Sequence, residues 1–188
     1  IVTGSSRGIG RATAEAMAAH GAKVVVSSRK ADKCEEVAEG IRSNGGEAIV
    51  IPCHCSHKDQ LQNLVDETLS TWGRIDSLVC NAAVNPFYGS LTEIPDDAYD
   101  KIMNTNVKSN VWLTSMVIPH MIKVGGGTVI IVSSVAALIG SAKLGTYGLS
   151  KAADVALARN IAVEWGGENI RANCINTAII RTDFARAL

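Results

Sequence analysis

Unbroken runs of β-prone apolar residues alternate along this chain with longer stretches of helical period, and that alternation constrains the fold more than any single motif. Lys23 to Ser28 carries Val24-Val25-Val26 without a polar interruption. A strand with one wet face alternates apolar and polar residues, whereas an unbroken run suits a parallel strand covered on both faces. Ile1-Val2-Thr3, Glu47 to Cys53, Ser77 to Cys80, Thr128 to Val132 and Ile170 to Ile175 are further runs of this kind. Between them lie an alanine-rich helix ending near His20-Gly21, a charged helix from about Asp32 to Ser43, and a helix to Trp72 with Gly73 beyond it. Ser56 followed by Asp59 resembles a capping box for that third helix. A long helix is expected from Asp97 to Ile122, distorted near Pro119, and another carries Tyr147. Repeated βα units of this sort predict an α/β fold, a doubly wound parallel sheet with right-handed crossovers.

The 188 residues, 47% hydrophobic with 17 glycines, suffice for one well-buried domain, so 1–188 reads as a single unit. Eighteen basic residues balance eighteen acidic ones, leaving no general field to draw the chain to nucleic acid or an anionic membrane. A small-molecule partner fits better. Five cysteines without a C-x-x-C argue against a disulfide framework or zinc ribbon and for a reducing, cytoplasmic setting. Cys53-His54-Cys55 falls on a strand end, where consecutive side chains point to opposite faces, so no metal is assigned to it. No apolar run is long enough to span a bilayer. The chain opens inside an apolar strand and stops at Leu188 outside any recognisable element, which suggests a sequence clipped at both ends; a C-terminal organelle signal could lie beyond it.

Two local patterns carry chemistry. Thr3-Gly4-Ser5-Ser6-Arg7-Gly8-Ile9-Gly10 sits between the first strand and first helix, where glycines allow a tight turn and let a pyrophosphate approach helix-terminal N–H groups. Tyr147 and Lys151, four residues apart, share one helix face. That spacing also occurs in ordinary surface helices. Placed at a site, a close positive charge favours the phenolate and makes proton exchange near neutrality feasible.

With the glycine loop, Asn81-Ala82-Ala83, Ser134 and Tyr147/Lys151 in that order, the chain resembles the short-chain dehydrogenase/reductase family over nearly its whole length. The Ser134 to Tyr147 separation of thirteen residues matches the family pattern. The resemblance implies a Rossmann-type sheet lacking the family's last strand and helix. It implies further that Tyr147 is the acid in carbonyl reduction and the base in the reverse oxidation, that Lys151 lowers its pKa and bonds the nicotinamide ribose, and that Ser134 polarises the carbonyl. Asn106 would keep its helix distorted and hold a relay water beside the lysine. Gly4, Ser6, Arg7, Gly8, Ile9, Gly10, Asn81, Ala82 and Ala83 would cradle the cofactor, with Ile180 and Thr182 on its carboxamide. A homodimer or homotetramer is implied, with Trp112 a candidate contact; Trp72 and Trp165 read as packing residues.

Cofactor choice follows from charge. An acid at the end of the second strand would bond the ribose hydroxyls of NAD and repel the extra phosphate of NADP. Here Ser28-Arg29 stands there, and Arg29 with Arg7 favours NADP(H) over NAD(H). Several positions depart from the family. His54 replaces an aspartate beside the adenine, Val84 replaces a glycine after Asn81-Ala82-Ala83, and Thr177-Ala178 replaces Pro-Gly before the nicotinamide segment. Asn81 to Pro86 and Ser27 to Lys30 look most like the NADPH-using, carbonyl-reducing branch. The leading expectation is reversible reduction of a ketone, aldehyde or dicarbonyl. A 3-oxoacyl thioester reductase and a non-catalytic NADP(H)-binding regulator or scaffold are the alternatives.

Overall fold

The computed structural model describes residues 1–184. Six parallel strands form one sheet in the order β3-β2-β1-β4-β5-β6, namely β1 Val2–Thr3, β2 Lys23–Ser27, β3 Glu47–Val50, β4 Ser77–Cys80, β5 Gly127–Ser134 and β6 Ile170–Thr177. Six α-helices flank it, namely α1 Gly8–Ala19, α2 Ala31–Ser43, α3 Lys58–Trp72, α4 Asp96–Ile102, α5 Ser109–Lys123 and α6 Gly145–Trp165. From β1 the chain winds outward through β2 and β3, and from β4 outward the other way. The crevice at their carboxyl ends is where such a sheet takes its ligand.

The valine run behaves as its composition requires. Val24 and Val26 enter one hydrophobic cluster with Ala14 and Ala18 of α1 and Val37 and Ile41 of α2. Val25 points the other way, into a cluster with Leu61 and Leu64 of α3, Leu113 and Val117 of α5 and Ile161 of α6. Both faces of β2 are therefore dry, and period-two burial is invisible in its sequence because each face is apolar. Trp72, Trp112 and Trp165 are half-buried against the second cluster. Trp72 Nε1 donates to Glu47 Oε1 at 3.0 Å, and Lys108 Nζ lies 4.8 Å from the Trp112 ring centre. No helix among the described residues is long and apolar enough to cross a membrane.

Three local expectations change. Ser56 does not cap α3; the helix starts at Lys58 after His57, and Ser56 Oγ instead pairs with Thr105 Oγ1 at 2.8 Å. The long helix is distorted at Met103–Lys108, a π-helical segment between α4 and α5, and not at Pro119, which α5 runs through to Lys123. Pro119 and Ser115 both face outward, where water can meet the carbonyl that the proline leaves without a donor. Strands β5 and β6 continue in register two residues beyond their apolar runs, to Ser134 opposite Thr177. That extension carries polar side chains to the carboxyl edge of the sheet.

Candidate active site

A groove of about 910 Å³ opens along that edge. Every expected site residue borders it except Gly10 and Asn106, which are buried behind its wall.

The glycine loop is shaped by missing side chains. Gly4 and Gly8 hold φ of +64° and +56°, in the left-handed region. A Cβ on Gly10 would lie 2.5 Å from both the Gly4 carbonyl oxygen and Asn81 Nδ2, so only glycine fits. Asn81 fastens the loop from β4: its Nδ2 donates to the Thr3 carbonyl at 2.9 Å and the Gly4 carbonyl at 3.2 Å. Thr3 Oγ1 accepts from the N–H groups of Asn81 and Ala82 at 3.0 and 3.1 Å. Arg7, the N-cap of α1, makes no side-chain cap, so no side-chain oxygen from that position competes for the first-turn N–H groups. A close-packed cradle ending on an uncapped helix N-terminus fits a pyrophosphate. Across the groove, Thr182 Cγ2 would stand 3.3 Å from a Cβ on Gly8, which brings the segment after β6 over the loop.

Cations collect beside β2. Arg7, Arg29, Lys30 and Lys101 border the groove, and Ser6 Oγ donates to Ser28 Oγ at 2.9 Å, tying the glycine loop to the turn that carries Arg29. His54 stands against His57 with ring centres 4.7 Å apart, and its backbone N–H donates to Gln60 Oε1 at 2.7 Å. Burial, then the neighbouring His57 and Arg29, push the His54 pKa down and favour the neutral ring.

At the other end Ser134 closes β5, and its Oγ accepts the Ala136 N–H at 3.1 Å. Tyr147 lies in the first turn of α6, pressed toward the turn at Val135–Ala137. Gly148 permits that approach, since a Cβ there would stand 2.9 Å from the Ala136 carbonyl oxygen. Tyr147 and Lys151 share a face as their spacing predicts, with Nζ 5.9 Å from the phenol ring centre. The electrostatics differ from the expectation. The Lys151 ammonium, 2% exposed, donates to the Val132 carbonyl and to Asp154 Oδ2, both at 2.9 Å. Burial raises the Tyr147 pKa; the Ser134 hydroxyl draws it down and the Asp154 charge adds to the rise.

Asn106 sits in the π-helical segment and is fully buried. Its Oδ1 accepts from Val84 N–H at 2.8 Å, while Nδ2 donates to the Val84 carbonyl and Ser150 Oγ, each at 3.0 Å. Val84 thus stands where the asparagine can grip its backbone at both ends. Thr177 Oγ1 donates to the Ser133 carbonyl at 3.2 Å, so the residue that departs from Pro-Gly ties β6 to β5. Sequence reasoning missed Thr3, Asn110, Gly148 and Asp154 as builders of this site. A signal existed for the last of these: an acid three residues after Lys151, on a helix flanked by Ala152, Ala153 and Val155.

Comparison with known proteins agrees with this geometry. The family described as short chain dehydrogenase matches residues 1–188. Dehydrogenase/reductase SDR family member 4 of Oryctolagus cuniculus is 42% identical over the whole chain, which covers 72% of that protein. The structure of a short-chain type dehydrogenase/reductase from Mycobacterium ulcerans superposes with a TM-score of 0.94 at 29% identity, covering 98% of this chain and 68% of the other. A 7α-hydroxysteroid dehydrogenase complexed with NADH and 7-oxo glycochenodeoxycholic acid gives 0.95 at 34% identity, covering 99% and 72%.

Proposed function

The chain belongs to the short-chain dehydrogenase family, an oxidoreductase family that binds NAD(P)(H) and acts on small molecules, and we propose that this member uses NADPH to reduce a ketone, aldehyde or dicarbonyl reversibly to its alcohol. The observation that carries the reading is the convergence of Ser134, Tyr147 and Lys151 on one end of the groove whose other end holds the glycine loop. The cofactor, when bound, supplies the hydride.

The residues of the chain do the rest. Tyr147, its pKa raised by burial, keeps its proton through neutral pH and is suited to give it to a carbonyl oxygen that is gaining charge. Ser134 accepts the Ala136 N–H and bonds the Tyr147 phenol, and its O–H would turn to the same carbonyl oxygen when a substrate is bound. Lys151 borders the groove beneath Tyr147 and would hold the ribose. Arg7 and Arg29 would meet the 2′-phosphate that distinguishes NADPH, a match of guanidinium to phosphate geometry. Beyond Tyr147 the rim is apolar, with Ile139, Leu144, Ile179 and Phe184, which favours carbonyls with apolar flanks. The similar hydroxysteroid dehydrogenase holds a 7-oxo compound, in keeping with a carbonyl substrate, although its cofactor is NADH. Val111 on α5 and Val163 on α6 are exposed, and they favour association of identical copies through those helices.

The test is to follow reduced-nicotinamide absorbance with NADPH and NADH across ketones, aldehydes, α-dicarbonyls and a 3-oxoacyl thioester, beside Tyr147→Phe. Turnover of simple carbonyls with NADPH, abolished in the variant, is the expected result. Faster turnover with NADH would reverse the cofactor assignment, preference for the thioester would reassign the substrate, and cofactor binding without any turnover would replace the enzyme by a sensor.

A further inference from the structure

Lys151 is buried beside a carboxylate that its proposed role does not require. Asp154, one turn along α6, is 0% exposed, and its Oδ2 lies 2.9 Å from the ammonium. Its Oδ1 accepts from Asn110 Nδ2 at 2.8 Å, and the same amide donates to the Asn106 carbonyl at 2.7 Å. A continuous set of bonds therefore runs from the π-helical segment through Asn110 and Asp154 to the lysine. A buried ion pair is a weak source of stability, because removing both charges from water offsets most of their attraction. This one is attached to Lys151, the single fully buried lysine among the described residues, which also borders the groove. Two of the three ammonium donors are spent on Val132 and Asp154, which fixes the direction of the third.

We infer that Asp154 is a positioning residue for Lys151, an interior carboxylate that tethers the ammonium to the end of β5 and anchors it through Asn110 to the helix carrying Asn106. The inference rests on the reading of Tyr147 as the acid. Seen from the phenol, a neighbouring ammonium and carboxylate largely cancel, so the tether also limits the lysine's leverage on the proton. The high Tyr147 pKa, to which Asp154 contributes after burial, is in keeping with this.

The groups facing the pair are Cys80 from β4, the Val132 carbonyl and Ser133 from β5, Cys174 from β6, Asn110 from α5, and Tyr147 on α6 itself, with Arg159 of α6 acting on Cys174. Burial raises both thiols, which therefore stay neutral beside the pair. Burial also raises the Asp154 carboxyl, and Lys151 and Asn110 draw it back.

The test uses the full-length protein with Asp154→Asn, which keeps a bond acceptor for Asn110 and removes the charge. The kcat/KM for NADPH-dependent reduction of an α-dicarbonyl is measured against pH. In parallel the phenolate of Tyr147 is titrated by ultraviolet difference against Tyr147→Phe in each background, a readout that needs no turnover. The expected result is a shift of the alkaline limb and of the phenolate titration to lower pH by about one unit, a tenfold change in phenolate fraction. A purely structural role would lower activity or melting temperature and leave both midpoints in place; that outcome overturns the inference while the proposed function stands. If the parent protein turns over no carbonyl, the proposed function fails, and the phenolate titration alone decides: a shift keeps the tether, an unmoved midpoint removes it. Asp154→Ser, small enough to admit water beside the ammonium, takes the place of Asp154→Asn if the latter does not fold, and is judged by the same shift.

Discussion

The two ends of the groove are built by opposite means. At the glycine loop the shape comes from side chains that are absent: Gly4 and Gly10 let backbone meet backbone, Gly8 leaves room for the Thr182 side chain, and Asn81 fastens the result through carbonyl oxygens. At the Tyr147 end it comes from side chains present where burial is costly, with Asn106, Asn110, Lys151 and Asp154 all 4% exposed or less and each satisfied by a partner. A cradle made of backbone tolerates almost no added atom, but its chemistry is generic. A network of buried polar groups tolerates no unpaired member, and it can set the proton affinity of one phenol. Recognition of a common phosphate scaffold suits the first device; tuning a reaction suits the second.

Several perturbations sharpen the contrast. The largest effect is expected at the reactive end, where Tyr147→Phe should lower kcat by about a hundredfold to ten-thousandfold while fluorescence titration finds NADPH affinity nearly unchanged. Asn106→Ala strands the Val84 N–H among others and should cost about 1–3 kcal/mol in urea unfolding, with activity falling alongside. At the cradle, Gly10→Ala places a Cβ against Asn81 Nδ2 and the Gly4 oxygen. It should cost a similar amount, about 1–3 kcal/mol, but appear chiefly as weaker NADPH binding in calorimetric titration. Arg29→Ala should cut the preference for NADPH over NADH about tenfold, read from the ratio of the two kcat/KM values, with NADH kinetics little moved.

The smallest effect is one of pH. A phenol whose folded pKa lies above its unfolded value contributes stability that is whole below about pH 10 and is lost as pH rises through the folded value. Tyr147→Phe should therefore lose less stability than the parent in alkaline melts, and the parent's reduction rate should fall across the same alkaline range.

Legibility in the sequence follows the same division. The expected cradle was picked out by glycines between an apolar strand and an alanine-rich helix, whereas Ser134 and the Tyr147/Lys151 pair, a spacing common in surface helices, were picked out only by the family resemblance, and the structure brings all of them to one groove. Asp154 was passed over despite its apolar neighbours Ala152, Ala153 and Val155, because a carboxylate three residues after a lysine reads as a surface pair until the helix face is known to be dry. The Ser56 cap failed for a related reason: a hydroxyl that suits a helix start found Thr105, 49 residues away, as its partner. The ends of β5 and β6 were underestimated because apolar runs stop where a strand reaches its ligand edge, although hydrogen-bonded pairing continues from Val132 to Ser134, whereas β3 stops at Val50, short of the expected Cys53.

The π-helical segment bears on all of this through counting alone. A π turn is an α-helix holding one residue more than its pitch allows, and each α-helical residue advances the direction of a side chain by about 100°. Were the run from Asp96 to Lys123 to become a continuous α-helix at its present length, the extra residue would no longer be absorbed and its second half would turn relative to its first. Asn110 would swing away from Asp154 with no change to either residue. The anchorage of the lysine thus depends on the π turn itself, which absorbs one residue and so keeps Asn110 facing Asp154.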